Sequence, residues 1–274
     1  MSRLIVKPIL LKQERGQHER PVALKDLSLS VVKATHILKL IGNNELGMTL
    51  TEVSTQTGFG TTVCLRMVMT LTSEHLLEKD STTGRYRLGV GLLTLSHKVL
   101  SRHPIALYTQ DLIERAVRRT EDIVLLMVRE GDEVVCIDRK EGTFPVRETG
   151  TQIGTRLPMH CGGGPLAILA FSPDDYIDQY LETQPLSKRT DRTVVDPKVL
   201  RKRIAQARKR GYTVGDQDLF AHVVAIGVPI YAPRGALLGA LSVGGVNMRY
   251  NDQRRKDVGE WLAAESGKIA LGLT

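Results

Sequence analysis

The chain has 274 residues, enough for two domains, and its 42% hydrophobic and 25% charged composition excludes disorder along the whole length. No apolar run approaches the roughly 18 residues of a membrane-spanning helix, and the N-terminal apolar stretch breaks at Lys7 and Pro8 with no small-residue cleavage site behind it. Cys64, Cys136 and Cys161 lie far apart without a C-x-x-C, which excludes a disulfide framework and argues against zinc or any other metal.

A cytoplasmic protein without membrane contact is therefore expected. The net charge of +8 is unevenly spread: residues 1–103 carry 14 basic and 8 acidic side chains, the remainder 24 and 22. A small basic region joined to a larger, nearly neutral one suggests a polyanion-binding module attached to something else. The plainer reading is solubility.

Residues 1–27 mix Lys, Arg, Gln and Glu with two prolines and show no period, so they read as a mobile extension. From Ser28 a helical period begins, with Val31, Ala34, Leu38 and Ile41 on one face and Gly42 as the stop. Thr49-Leu50-Thr51-Glu52 reads as a capping box for a short helix ending at Gly58. A third helix starts near Thr61 or Thr62 and carries Cys64, Met67, Val68 and Leu71 on its apolar face. Three helices with a tight glycine turn before the last make a helix-turn-helix.

The segment LLEKDSTTGRYRLG then reads as a β-hairpin, the wing, with Arg85 at its tip and Arg87 on the return strand suited to backbone phosphates. Residues 28–88 form the winged domain on this reading, and 89–103 a linker helix. In residues 104–274 helices are expected at 105–120, 165–171, 174–182, 197–210 and 252–271. Strand pairs are expected around Gly131-Asp132 and around Pro233-Arg234-Gly235. Their order predicts an α+β sheet domain with helices on its faces.

The stretches TLTEVSTQTGFGTTVCLRMVMTL, LLEKDSTTGRYRLGVGLLTL, GDEVVCIDRKEG, GTRLPMHCGGGPLAILAF, ARKRGYTVGDQD and VPIYAPRGALLGALSVGG occur in this order. Together they resemble the IclR family of bacterial transcriptional regulators, over some nine-tenths of the chain. The resemblance implies a winged helix-turn-helix domain, a linker helix and a C-terminal GAF-like α/β effector-binding domain. It also implies double-stranded operator DNA as partner, a small-molecule effector, and a homodimer or dimer of dimers.

The chain departs from the family pattern in four places. After the turn, where the family usually reads P-K/R-S-T-V-x-R, stands Gly60-Thr61-Thr62-Val63-Cys64-Leu65-Arg66. The effector loop, commonly H-A-S/T-A-x-G-K, is His160-Cys161-Gly162-Gly163-Gly164-Pro165-Leu166. A cysteine common in a later strand is Ala225, and of two pocket serines Ser242 matches while the other is Gly244.

Thr61, Thr62, Val63 and Arg66 are the expected base-reading residues of the third helix, whose diameter fits the major groove. The plain alternative for Arg66 is an ion pair with Glu52 or Glu74. In the effector loop, Pro165 suits the first helical position, with Gly164 at the N-cap and free amides forming an anion site. The alternative there is merely a tight turn. His160, Cys161, Gly162, Gly163, Gly164, Asp218, Ala225 and Ser242 are the expected effector residues. The loss of side-chain volume suggests a ligand bulkier than a two- or three-carbon acid.

His160 beside Cys161 invites a nucleophile–base reading, but neighbours rarely meet in the required geometry and no third residue orients them. No catalysis and no cofactor are expected. The basic run from Lys198 to Arg210 reads as a solvated helix face around Val199, Leu200, Ile204 and Ala207. The leading reading is a DNA-binding regulator modulated by a small organic acid. Its rival is a GAF-like sensor or enzyme whose winged helix makes only protein contacts.

Overall fold

The computed structural model of the chain describes residues 26–100, 104–146, 150–233 and 235–272. The expected extension therefore lies, up to residue 25, outside the described residues, as does Arg234 of the second hairpin joint. The chain forms two compact units, divided between residues 102 and 103.

The first unit contains α1 (Leu29–Gly42), α2 (Leu50–Thr57), α3 (Thr61–Ser73), the hairpin β1 (Leu77–Lys79) and β2 (Tyr86–Leu88), and α4 (Gly91–Leu100). Ile37, Ile41, Val53, Cys64, Val68, Leu71, Leu77 and Tyr86 meet in its core. The face read for α1 needs a correction: Ile37 and Ile41 are buried, Ala34 and Leu38 pack beside them, and Val31 is 61% exposed. The apolar period runs on into the first turn, where no described neighbour covers it.

The capping box forms as its spacing requires. The Glu52 amide donates to Thr49 Oγ1 at 3.3 Å, and the Thr49 amide to Glu52 Oε2 at 2.7 Å. Gly58 closes α2 in the left-handed region at φ 67°, and Ser54 Oγ donates to Phe59 O at 2.8 Å, fixing the turn into α3. In the wing Leu77 pairs with Leu88 and Lys79 with Tyr86. Asp80 Oδ1 accepts the amides of Thr82 and Thr83 at the tip.

The second unit comprises α5 (Pro104–Thr120), β3 (Ile123–Glu130), β4 (Glu133–Lys140), β5 (Arg156–Pro158), α6 (Gly163–Ala170), α7 (Asp174–Thr183), α8 (Pro197–Arg210), β6 (Thr213–Asp216), β7 (Val223–Tyr231), β8 (Leu237–Val246) and α9 (Asp252–Ala270). The strands form one antiparallel sheet in the order β5-β4-β3-β8-β7-β6. β5 and β6 lack a sequence signal because three or four residues are too few to show an alternation.

Both faces of the sheet are covered. Val124, Leu126 and Val128 of β3, with Val224, Ile226 and Val228 of β7, point to α5 and α9. Ile123, Leu125 and Met127 point to the opposite layer, which contains α6, α7 and α8. The strict period of two thus serves two cores, which is why β3 reads as an unbroken apolar run. Every residue of α6 is buried, so this helix has no polar stripe.

The start of α6 differs from the sequence reading. Its N-cap is Gly162, at φ 80°, and Pro165 occupies the third helical position. Proline is still tolerated there, because the first turn has no intrahelical acceptors to lose. The helix starts two residues earlier because glycines let it lie directly on the sheet. A Cβ on Gly163 would stand 2.7 Å from the Ala225 backbone, and one on Gly227 2.3 Å from Gly163 O.

Candidate functional site

The winged unit places the predicted DNA-facing residues on different footings. Thr61, Thr62 and Arg66 are exposed on α3, while Val63 is half-buried. Thr61 Oγ1 lies 3.3 Å from Ser54 Oγ. Arg66 has no ion pair among the described residues. The carboxylate suggested as its alternative partner, Glu52, is held by Arg85 instead, at 2.9 and 3.1 Å in a two-pronged contact.

Arg85 also donates to Gly47 O at 2.8 Å. Its guanidinium therefore straps the wing to the capping box of α2, and the outermost residues of the hairpin are those of the Asp80–Gly84 turn. Hydrogen bonding from the Thr49 backbone, reinforced by Arg85, holds the Glu52 carboxyl below its ordinary value. Arg87 remains half-exposed, 3.9 Å from Asp80. The unit thus offers Arg66 and, less freely, Arg87 as outward cations beside a row of hydroxyl and apolar side chains.

In the second unit a cavity lies between the sheet and the start of α6. Its walls are Leu125 and Met127 of β3, Ala225 of β7, Ser242 and Gly244 of β8, and Gly162 to Pro165. Asp218, Leu219 and Phe220, from the segment joining β6 to β7, cover it. The space between the walls, its opening to solvent included, is about 460 Å³, and the unfilled interior is about 30 Å³. That is enough for a water or two.

The expected residues Gly162, Gly163, Gly164, Asp218, Ala225 and Ser242 all line this cavity. His160 and Cys161 do not; they are buried behind it. His160 Nε2 lies 3.0 Å from Ser187 O, and since a carbonyl only accepts, the ring proton sits on Nε2. Nδ1 is left buried without a partner among the described residues. Burial lowers the pKa of His160 and pushes the Cys161 thiol up to about 12, so the imidazole is neutral and the sulfur stays protonated.

Asp218 is 2% exposed and fully engaged. Its Oδ1 accepts the Gly162 amide at 2.9 Å and its Oδ2 pairs with Arg203 at 2.9 Å. It therefore shapes the loop, and its charge is matched. Arg203 is a residue that sequence reasoning missed. It lies in the basic run of α8, where nothing in the spacing distinguishes it from its neighbours.

The rest of that run is also less solvated than its pattern implies. Arg201 pairs with Asp178 and Arg208 with Asp174, and Arg208 also donates to the carbonyls of Ala170 and Ser172 at the end of α6. The Arg210 guanidinium lies 4.7 Å from the centre of the Tyr212 ring. The lid residues Leu219 and Phe220 were likewise invisible in the sequence, since a loop carries no period.

Ser242 is 2% exposed, and its hydroxyl makes no hydrogen bond to any described residue. It faces the cavity next to α6, where a Cβ added to Gly164 would stand 3.6 Å from Ser242 Oγ. The first amides of α6 have no intrahelical acceptor and carry the positive end of the helix dipole.

A winged helix-turn-helix unit joined to a sheet unit with a pocket between sheet and helix defines a ligand-responsive DNA-binding protein. The family model "Bacterial transcriptional regulator IclR C-terminal" matches residues 97–271, and "IclR helix-turn-helix domain" matches residues 30–81. The chain is 30% identical over 231 residues to the HTH-type transcriptional regulator KipR of Bacillus subtilis, covering 84% of this chain and 91% of that protein. Its fold matches the Thermotoga maritima IclR crystal structure with a TM-score of 0.79 at 24% identity, covering 89% and 98% of the two chains. An IclR homologue from Microbacterium hydrocarbonoxydans, complexed with 4-hydroxybenzoate, has the same fold at a TM-score of 0.73 and 21% identity, covering 88% and 98%.

The chain belongs to the IclR family of bacterial transcriptional regulators. It is a DNA-binding regulator with an effector-binding unit. No described helix is long and apolar enough to cross a membrane.

Proposed function

We propose that the cavity takes an aromatic or longer-chain monocarboxylate, whose binding shifts the DNA affinity of a homodimer or dimer of dimers. The observation that carries this is the Ser242 hydroxyl, which faces the cavity without a partner among the described residues, beside the first-turn amides of α6. A carboxylate there meets N–H donors, a hydroxyl donor and the helix dipole. Apart from Thr151 and the Asp218 carboxylate already paired with Arg203, the remaining walls are apolar or glycine, which suits a ring or chain and provides no cation for a diacid. The 4-hydroxybenzoate bound by a protein of the same fold agrees with this class.

Such a ligand is larger than the free space, so the Leu219–Phe220 cover must give way. That segment is flanked by Gln217 at φ 58° and His222 at φ 63°, two non-glycine residues in the left-handed region. The ligand acts on DNA binding only through unequal affinity for the two arrangements of the protein. Association of copies is supported by Val90, Leu93 and Leu95 near and on α4 and by Leu29 and Val31 on α1, all more than half exposed.

The test is calorimetric titration of the full chain with benzoates and C6–C8 monoacids, alongside two- and three-carbon acids. The larger acids should bind, and Ser242→Ala should weaken them about tenfold, the worth of one hydrogen bond to a charged group. Gly164→Ala, whose methyl would press on Met127 Sδ at 2.8 Å and Ser242 Cβ at 3.0 Å in the cavity wall, should weaken them further. Binding by no acid of any size sinks the proposal. Leu93→Glu should lower the mass seen by light scattering if α4 joins two copies.

A further inference from the structure

The stripe of α3 turned away from the core is Thr62, Arg66, Met69 and Ser73, opposite the buried Cys64, Val68 and Leu71. Leu65 borders this stripe. Met69 is 60% exposed and Leu65 39%, so two large apolar side chains flank Arg66 in solvent. A surface helix ordinarily places charge there.

The polar groups beside them are few. Thr70 Oγ1 donates to Arg66 O at 2.9 Å, and Ser73 Oγ to Thr70 O at 2.8 Å. Both hydroxyl protons are thus engaged by the helix backbone. Thr61 is turned to Ser54. Among the described residues, only Thr62 and Arg66 on this face lack a protein partner. α3 has no Asn, Gln, Asp, Glu or Lys. It cannot make the two-pronged amide contact that reads adenine, nor the carboxylate contact that reads cytosine. One arginine can read one guanine.

Beside the Thr62 hydroxyl, which bonds to either kind of base pair, what remains for reading sequence is apolar contact, and the apolar group that marks a base edge in the major groove is the thymine methyl. The general charge term is also small in this unit, since residues 26–100 carry 7 basic and 6 acidic side chains. Arg85 and Arg87 are among the seven, and both face carboxylates.

We propose that Met69 and Leu65 are specificity-determining residues that read thymine methyl groups beside the base pair contacted by Arg66. The half-site is then marked by thymines around a single guanine. This rests on α3 being the helix that enters the groove. The geometry permits it: three residues of helix rise about 4.5 Å, little more than one base-pair step of about 3.4 Å. Arg66 and Met69 therefore reach the same or adjacent pairs. A protein partner on this face is the competing occupant. The arginine at the centre of the patch and the wing that follows α3 favour DNA.

The experiment uses the full chain and a random duplex library to enrich a binding site. Each thymine is then replaced by deoxyuridine, which removes only the methyl, and affinity is measured by fluorescence anisotropy at fixed salt. One or two positions per half-site should each lose about fourfold, the factor for one buried methyl-sized group. Met69→Ala or Leu65→Ala should abolish the loss at its own position and leave binding to random duplex unchanged. Both side chains are exposed, so the variants should keep the unfolding midpoint of the parent. An enriched site indifferent to uracil overturns the proposal alone, as does a uracil penalty that survives in both variants. A library from which nothing is enriched overturns the groove-reading role of α3 as well.

Discussion

The two units present their functional groups in opposite ways. On the winged unit Thr62, Arg66 and Met69 stand in solvent without structural duties, and the strap that positions the wing, Arg85 on Glu52, is a separate pair on the other side of the turn. In the effector unit the charged groups near the cavity are already matched: Asp218 holds both the Gly162 amide and Arg203, and what is left for a ligand is a hydroxyl and helix amides. The difference follows from the solvent each site must compete with. DNA arrives with its own charge at an open surface, where unpaired side chains are cheap to keep hydrated. A cavity cannot hold a bare charge, so it recognises its ligand with dipoles.

This contrast can be broken most directly at Arg203. Arg203→Ala leaves the Asp218 carboxylate buried without its cation, and should destabilise the effector unit by about 3–5 kcal/mol. Urea unfolding followed by two probes should show that transition moving while the winged unit's stays in place. Equal movement of both would mean that the units unfold as one.

Arg66→Ala should do the reverse. No change in the unfolding midpoint is expected, but sequence-specific DNA affinity should fall by roughly 1–3 kcal/mol, more than affinity for random duplex. A variant that keeps its affinity and loses stability would return Arg66 to an internal ion pair.

The smallest effect is expected at the strap. Glu52→Gln or Arg85→Lys should lower the unfolding temperature of the winged unit only slightly, because the pair is part-exposed and screened. The carboxyl of Glu52 has a lowered pKa when folded, so its contribution is complete above the ordinary value of 4.5 and disappears as pH falls through the lowered one. Glu52→Gln should flatten that acid limb. An unchanged limb would show that the contact does not persist in solution.

Local chemistry was legible because its signals lie within a few residues. Thr49 and Glu52 make the capping box their spacing announces, Gly58 takes the left-handed turn, and Cys64, Val68 and Leu71 face the core. The order of helices and strand pairs gave the α+β class, and a glycine-rich turn before an apolar helix pointed to the cavity wall. Each of these depends on period or on a backbone conformation that only certain residues adopt.

Only the tertiary structure decided which partner each charge takes, because an ion pair between residues 33 apart, as in Arg85 and Glu52, leaves no trace in local sequence. The same holds for Arg203 with Asp218, and for His160, which the fold turns to Ser187 and away from the ligand wall. The two faces of β3 are equally apolar, so the assignment of Ile123, Leu125 and Met127 to the α6 layer came from what packs on each side. Composition and period fix what a residue can do; the neighbours that burial brings within 3 Å fix what it does.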